Sequence, residues 1–443
     1  MSWQPLLQGA LEERARYTIQ SILDDLSLVE GESAGDPSLA SGLAGRAILH
    51  GYLARAEHGT GHAEVAARCL QRASAAITDK PMEASLYGGL TGVGWALSHL
   101  QSRLPGLDGE EDCGEIDEVL LHHLEQSPWR DDYDLISGLV GFGVYALERM
   151  APGANAARLA AAACLERVVE RLAETAEQQG EGVTWWTNPA WLPVEAREKT
   201  PRGYYNLGLA HGVPGVIALL GLACAAASRG ASAPGASLDQ ARPLLEGAVN
   251  WLISQQQSAG FPHWVQPEAA DGPARLAWCY GDPGVAAALL GTAWLVAEPA
   301  WEREALAIAR RAARRPPDQA GVRDAGLCHG AAGLGHLFNR MFQATGEPGL
   351  ADAARFWFEQ TLQMARPGQG IGGYQAWQLG DDSEPIWVTD SGLLTGSVGI
   401  ALALLAATTV IEPAWDRMLL TAIPPVACTV ATGSGLNEEP TFV

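Results

Sequence analysis

Several stretches of the chain are apolar on every side of a helical turn. VIALLGLACAAA follows Gly215, VAAALLGTAWLVA follows Gly284 and IALALLAATTV follows Gly399. Apolar residues all round a helix mean burial all round. Other segments keep one polar face, such as AARLAAAACLERVVERLAE at 156–174 and REALAIARRAARR at 303–315. Fully buried helices alternating with half-exposed ones predict two concentric rings. No strand pattern of comparable strength appears.

A short unit, Gly-x-x-Gly before an apolar run, recurs seven times. Its first glycines are Gly42, Gly89, Gly138, Gly212, Gly281, Gly330 and Gly396, spaced 47, 49, 74, 69, 49 and 66 residues apart. The minimum spacing fits two helices and two connections. Glycine at such a turn lets backbones approach closely. Seven helix pairs closing in a circle predict an all-α fold, an α/α toroid. Each unit buries its face against its neighbours, so residues 1–443 read as a single domain. Two stretches, 178–206 and 366–390, carry Trp, Pro and Gly without helical period. They read as loops at one end of the toroid, where binding faces concentrate. The last residues, 433–443, read as a loose tail.

The longest apolar run, residues 213–227, is 15 residues. A membrane span needs about 20, so none is expected. The chain opens without a signal-peptide pattern, which predicts a soluble cytoplasmic protein. The net charge of −22 disfavours nucleic-acid backbones and anionic membranes as partners. Within an odd count of seven cysteines, Cys69, Cys113, Cys164, Cys224 and Cys428 sit mainly in alanine-rich helical stretches and read as reduced and mostly packed.

The other two cysteines carry the chemistry. Cys279 lies in W-C-Y-G-D-P-G at 278–284, and Cys328 precedes His329 in L-C-H-G-A-A-G-L-G at 327–335. Both fall at the same place in the repeat, just before the first glycine. Two thiolates and an imidazole make a three-ligand zinc site with one position open for water or substrate, the mark of catalytic zinc. A substrate thiol held there would be activated as a nucleophile. The competing reading is two core cysteines and a stray histidine. His336 reads as packing, since a fourth ligand would close the site. Only repeats four to six place His or Cys before the glycine, which predicts a site against one arc of the ring.

These motifs resemble the lanthionine synthetase C-like family, specifically the stand-alone LanC cyclases of class I lanthipeptide biosynthesis. The strings that carry the resemblance are GLAHGVPG at 208–215, WCYGDPG at 278–284 and CHGAAGLGHLF at 328–338, with DLISGLVGFG at 134–143 a weaker match. The resemblance implies an α/α toroid with one zinc ion. It implies addition of a peptide cysteine thiol to dehydroalanine or dehydrobutyrine, giving lanthionine or methyllanthionine thioether rings. The implied partners are a dehydrated lanthipeptide precursor (leader plus core), a dehydratase and a transporter.

Carried over by the resemblance, Cys279, Cys328 and His329 hold the zinc. His211 is the acid/base, taking the thiol proton or protonating the enolate carbon. Asp134 orients His211, binds Arg275, or only caps a helix. Arg275 stabilises the enolate oxygen or forms a structural ion pair. Tyr280 is a further catalytic residue, and Trp278 lines the substrate pocket or simply packs. The alternative within the superfamily is a zinc-containing, thiol- or glutathione-binding adaptor without cyclase activity. A prenyltransferase-like toroid fits the ligand set poorly. A toroid glycosidase, with Asp131, Asp132 and Asp134 as its acids, leaves the cysteines unexplained.

Overall fold

The structure, a computed structural model, describes residues 3–424 apart from 29–34, 80, 105–106, 108–112, 151–154, 193, 230–237, 267–271 and 381–383. The tail 433–443 and Cys428 lie outside the described residues. Fifteen helices carry the described fold: α1 (Ala10–Leu28), α2 (Leu43–Arg55), α3 (His62–Asp79), α4 (Leu90–Gln101), α5 (Gly114–Leu124), α6 (Leu139–Arg149), α7 (Asn155–Thr175), α8 (Val194–Lys199), α9 (Val213–Ser228), α10 (Ala241–Ser254), α11 (Asp282–Leu295), α12 (Pro299–Arg314), α13 (Ala331–Thr345), α14 (Pro348–Met364) and α15 (Ser397–Thr408).

Seven of them, each starting directly after the first glycine of a repeat, form the inner ring. In the order α2, α4, α6, α9, α11, α13, α15 each touches the next, and α15 touches α2. The ring is closed. Every residue of α15 is buried, as its unbroken apolar sequence requires. Outer helices α3, α7, α10, α12 and α14 pack on the inner helix before them in the chain, and α5 on α4. On α12 the buried residues are Ala305, Ile308, Ala309 and Ala312, a single helical stripe. The first outer helix, α1, packs on the last inner one, α15. The preceding strand of chain fixes that closure, with Leu6 and Leu7 N–H donating to Ala407 O at 2.8 and 3.0 Å.

The glycines have a steric cause. In all seven units the carbonyl six residues upstream lies against the second glycine. A Cβ at Gly92 would stand 1.9 Å from Leu86 O, and one at Gly333 1.9 Å from Leu327 O. No side chain fits there. The loops also bond to each other around this mouth of the ring: Ala40 N to Tyr87 O, Leu135 N to Ala210 O, Ala210 N to Cys279 O, Cys279 N to Cys328 O, Cys328 N to Leu394 O and Leu393 N to Ala40 O. A short, largely buried 3-10 turn at Ala414–Leu419 follows α15, and Arg340 of α13 pairs with its buried Asp416.

The two stretches expected as loops contain short strands. β1 (Glu177–Gln179) pairs with β2 (Gly182–Thr184); β3 (Trp186–Thr187), β4 (Tyr204–Asn206) and β5 (Trp264–Val265) form a small sheet; β6 (Ala376–Leu379) pairs with β7 (Pro385–Val388). Strands of two to four residues are too short to show alternation in the sequence, which is why periodicity missed them. Among the described residues, no helix is long and apolar enough to cross a membrane.

Candidate metal centre

Three adjacent inner helices supply the centre. Cys279 stands two residues before Gly281 at the start of α11; Cys328 and His329 stand before Gly330 at the start of α13; His211 precedes Gly212 at the start of α9. The inter-loop bonds fix the register, with Trp278 N also donating to Cys328 O at 3.1 Å. One ligand atom each from Cys279, Cys328 and His329 lies within 4.8 Å of the others, and this is the one such group found among the described residues. Gly281 takes a positive φ of 88° where the other first glycines are extended.

The donors fit a thiophilic metal. His329 Nδ1 is buried without a hydrogen-bond partner. Its Nε2 lies 3.8 Å from Asp324 Oδ2, the kind of outer carboxylate that orients a ligating imidazole. Asp324 is itself fixed, accepting from Gly326 N at 3.1 Å and Trp377 N at 2.9 Å. The hydrogen bond from Cys328 holds Cys279 well below the ordinary thiol range, burial opposes it, and His329 and the Arg275 guanidinium add to the lowering. That same bond, with burial, pushes the Cys328 thiol well above the ordinary range.

Beside the cluster, His211 Nδ1 lies 2.6 Å from Asp134 Oδ2. The other carboxylate oxygen of Asp134 accepts from Ser137 N at 2.7 Å. One oxygen thus orients His211 and the other holds the turn before α6, whose N-cap is Gly138 without a side-chain bond. Burial disfavours a charged His211, but the bond and charge of Asp134 outweigh it, and Cys279 and Asp132 add to a net raised pKa. The side chain is 42% exposed, so a substrate can reach it. Arg275 acts electrostatically on both thiols, no carboxylate among the described residues pairs with it, and its buried Nε has no partner. The Tyr280 ring stacks on His211 at 6.1 Å between centroids and leans on His263 at 5.3 Å. Trp278 is 1% exposed and gives its indole N–H to Leu419 O at 2.9 Å. It occupies a packing position beneath the cluster. His336 is bonded to Asp416 Oδ2 at 2.9 Å and stacked on Trp415 at 4.7 Å, apart from the metal cluster.

Sequence reasoning passed over Asn206, Asp324 and His263. A signal for two of them was present. The residue six before the first glycine reads Asp36, Glu83, Asp132, Asn206, Arg275, Asp324 and Asp390 through the repeats. In five of them its side-chain oxygen accepts the N–H two residues on, as at Asp36, Asp132, Asn206, Asp324 and Asp390. That is an Asx-type turn, which holds the loop in place. His263 comes from outside the repeat and left no such trace.

An α/α toroid with a two-cysteine, one-histidine cluster at one mouth, flanked by a histidine–aspartate pair, defines the class. The chain belongs to the lanthionine synthetase C-like family, which matches residues 33–420. It is similar in structure to nisin cyclase, with a TM-score of 0.69 and 18% identity, covering 91% of this chain and 96% of that one. That likeness shows the toroid fold. No curated protein sequence matches the chain.

Proposed function

We propose that the protein is a zinc-dependent lanthipeptide cyclase. It joins peptide cysteines to dehydroalanine or dehydrobutyrine as lanthionine or methyllanthionine rings. The observation that carries the reading is the three-donor cluster with His211–Asp134 beside it. Cys279, Cys328 and His329 would hold the zinc. When bound, zinc supplies a Lewis-acidic position at which a substrate thiol is held as thiolate.

The chain's own groups do the rest. With Nδ1–H given to Asp134, neutral His211 presents a basic Nε2 that accepts the proton leaving the thiol. Sulfur attacks the dehydro-residue's β-carbon, the C=C electrons move toward the amide oxygen, and an enolate forms. His211, now charged and favoured by Asp134, returns the proton to the α-carbon. Bonds made and broken balance, and the product has the substrate's mass. Arg275 and Tyr280 would stabilise the enolate oxygen. Trp278 supports the Cys279 loop from below.

The substrate on this reading is a dehydrated precursor, leader and core, delivered in the cytoplasm by a dehydratase, with a transporter taking the product. The whole chain serves as one toroid domain. The test measures zinc and loss of free thiol on a dehydrated, cysteine-containing peptide for the parent, Cys328→Ala and His211→Ala. Expected are one zinc per chain and cyclisation in the parent, metal loss in Cys328→Ala, and retained metal without cyclisation in His211→Ala. Zinc with no cyclisation of any peptide would favour a thiol-binding adaptor. No zinc would sink the site.

A further inference from the structure

Asn206 is the one asparagine in the series of seven residues that stand six before the first glycine. It is 1% exposed and sits at the end of β4. Its Oδ1 accepts Gly208 N–H at 2.8 Å, as the carboxylates of other repeats do for their own loops. That bond assigns the amide. With the oxygen occupied, the NH2 faces outward and donates to Tyr280 Oη at 3.1 Å.

A phenol oxygen that accepts from Asn206 has its own hydrogen pointing elsewhere. That hydrogen has no acceptor among the described residues, and Tyr280 lies within electrostatic reach of Cys279 and Asp134. We propose that Asn206 is a positioning residue that keeps the Tyr280 hydroxyl a donor toward the substrate's enolate oxygen. An aspartate here would serve the turn equally, as it does in four repeats. It would also take the Tyr280 proton for itself. The choice of amide over carboxylate at this one position is therefore chemical. The inference rests on the cyclase reading for its substrate.

The experiment is Asn206→Asp, a side chain the repeat already accommodates, with zinc content and circular dichroism as controls for folding. Removing a preorganised donor costs about 100-fold in kcat. The expected result is a loss of that size at every pH tested, with parental zinc. In a Tyr280→Phe background the same change should cost less than about 3-fold, because no hydroxyl remains to redirect. Activity within about 3-fold of the parent, or losses that multiply in the double variant, would overturn the proposal. A loss that merely slides along the pH axis would point to a charge effect on His211, and would overturn it too. Fluorotyrosine placed at position 280 reads the hydroxyl without turnover. Asn206→Asp should move its fluorine resonance, and an unmoved resonance overturns the proposal. If the parent cyclises nothing, the cyclase reading falls and the fluorine result alone decides the direction of the hydroxyl.

Discussion

In repeats one, two and seven the residue before the first glycine is Ser41, Gly88 or Thr395; in repeats four, five and six it is His211, Tyr280 or His329. The backbone follows one plan in both arcs, apart from the positive φ of 88° at Gly281. Both begin an inner helix at the same glycine, press a carbonyl against the second glycine and pass loop hydrogen bonds to their neighbours. The chemistry is set by side chains at two or three equivalent positions. Those positions face the same mouth in every repeat, so a ring built for packing reasons presents them together. The plain arc shows what the scaffold needs. The difference between the arcs shows what was added to it.

The largest effects should ignore the difference. Gly92→Ala on the plain arc and Gly333→Ala on the site arc each drive a Cβ to 1.9 Å from a backbone carbonyl. Each should destabilise by about 3 kcal/mol or more, because backbone cannot step aside as a flexible side chain can. Denaturation midpoints would check this. A large loss at Gly333 with none at Gly92 would mean that the glycines serve the site rather than the ring.

The ring was legible in the sequence for this reason. A Gly-x-x-Gly imposed by sterics must recur wherever the turn recurs, and the apolar run that follows is visible by composition alone. The ligand set was legible because Cys279 and Cys328 occupy one repeat position, two before the first glycine, and His329 the position beside it. The pairing of His211 with Asp134 was one of three options for that aspartate, since a bond across 77 residues leaves no local trace. Asn206 and Asp324 were passed over because the position six before the glycine looks structural, and in most repeats it is. The strands at 178–206 and 376–388 are held by their partners, and β2 also by packing on α10, rather than by their own pattern.

Next in size come changes at Asp134, which stands in repeat three and reaches the site arc through His211. Asp134→Asn keeps an oxygen for Ser137 N but removes the charge that raises the His211 pKa. Loss of well-placed acid–base function costs about 10²- to 10⁴-fold. The expected outcome is a fall in kcat in that range with zinc retained. The limb of the kcat/KM profile that reports His211 should move to lower pH, because a partner that favoured the charged ring has gone. A drop with no movement of that limb would detach Asp134 from His211.

Asp132 gives a smaller effect, on stability. Its pKa is raised to about 7 by burial and by the neighbouring Asp134 charge, with His211 opposing. Between its unfolded value near 4 and this folded one, the native state holds a proton that the unfolded chain has released. Stability from this group therefore falls as pH rises from about 4 to 7 and is level above. Asp132→Asn keeps the turn, as Asn206 does in the next repeat, and should flatten that slope and raise stability at pH 8 relative to the parent. Urea melts at pH 5 and pH 8 measure it. An unchanged slope would show that the Asp132 carboxylate is relieved by groups other than those facing it.

The smallest expected effect closes the comparison. Asp36 stands where Asn206 stands, accepts Ser38 N at 2.9 Å through the same turn, and is exposed. Asp36→Asn keeps the accepting oxygen and loses only a solvated charge. Stability should change by less than about 0.5 kcal/mol, and cyclisation and zinc should not change. The same exchange in reverse, Asn206→Asp, is expected to cost about 100-fold in kcat. One chemical difference, amide against carboxylate, would then be silent on one arc and decisive on the other. If Asp36→Asn also impaired turnover, the carboxylates around the mouth would be acting through their summed field on the whole site, and the division into a scaffold arc and a chemical arc would fail.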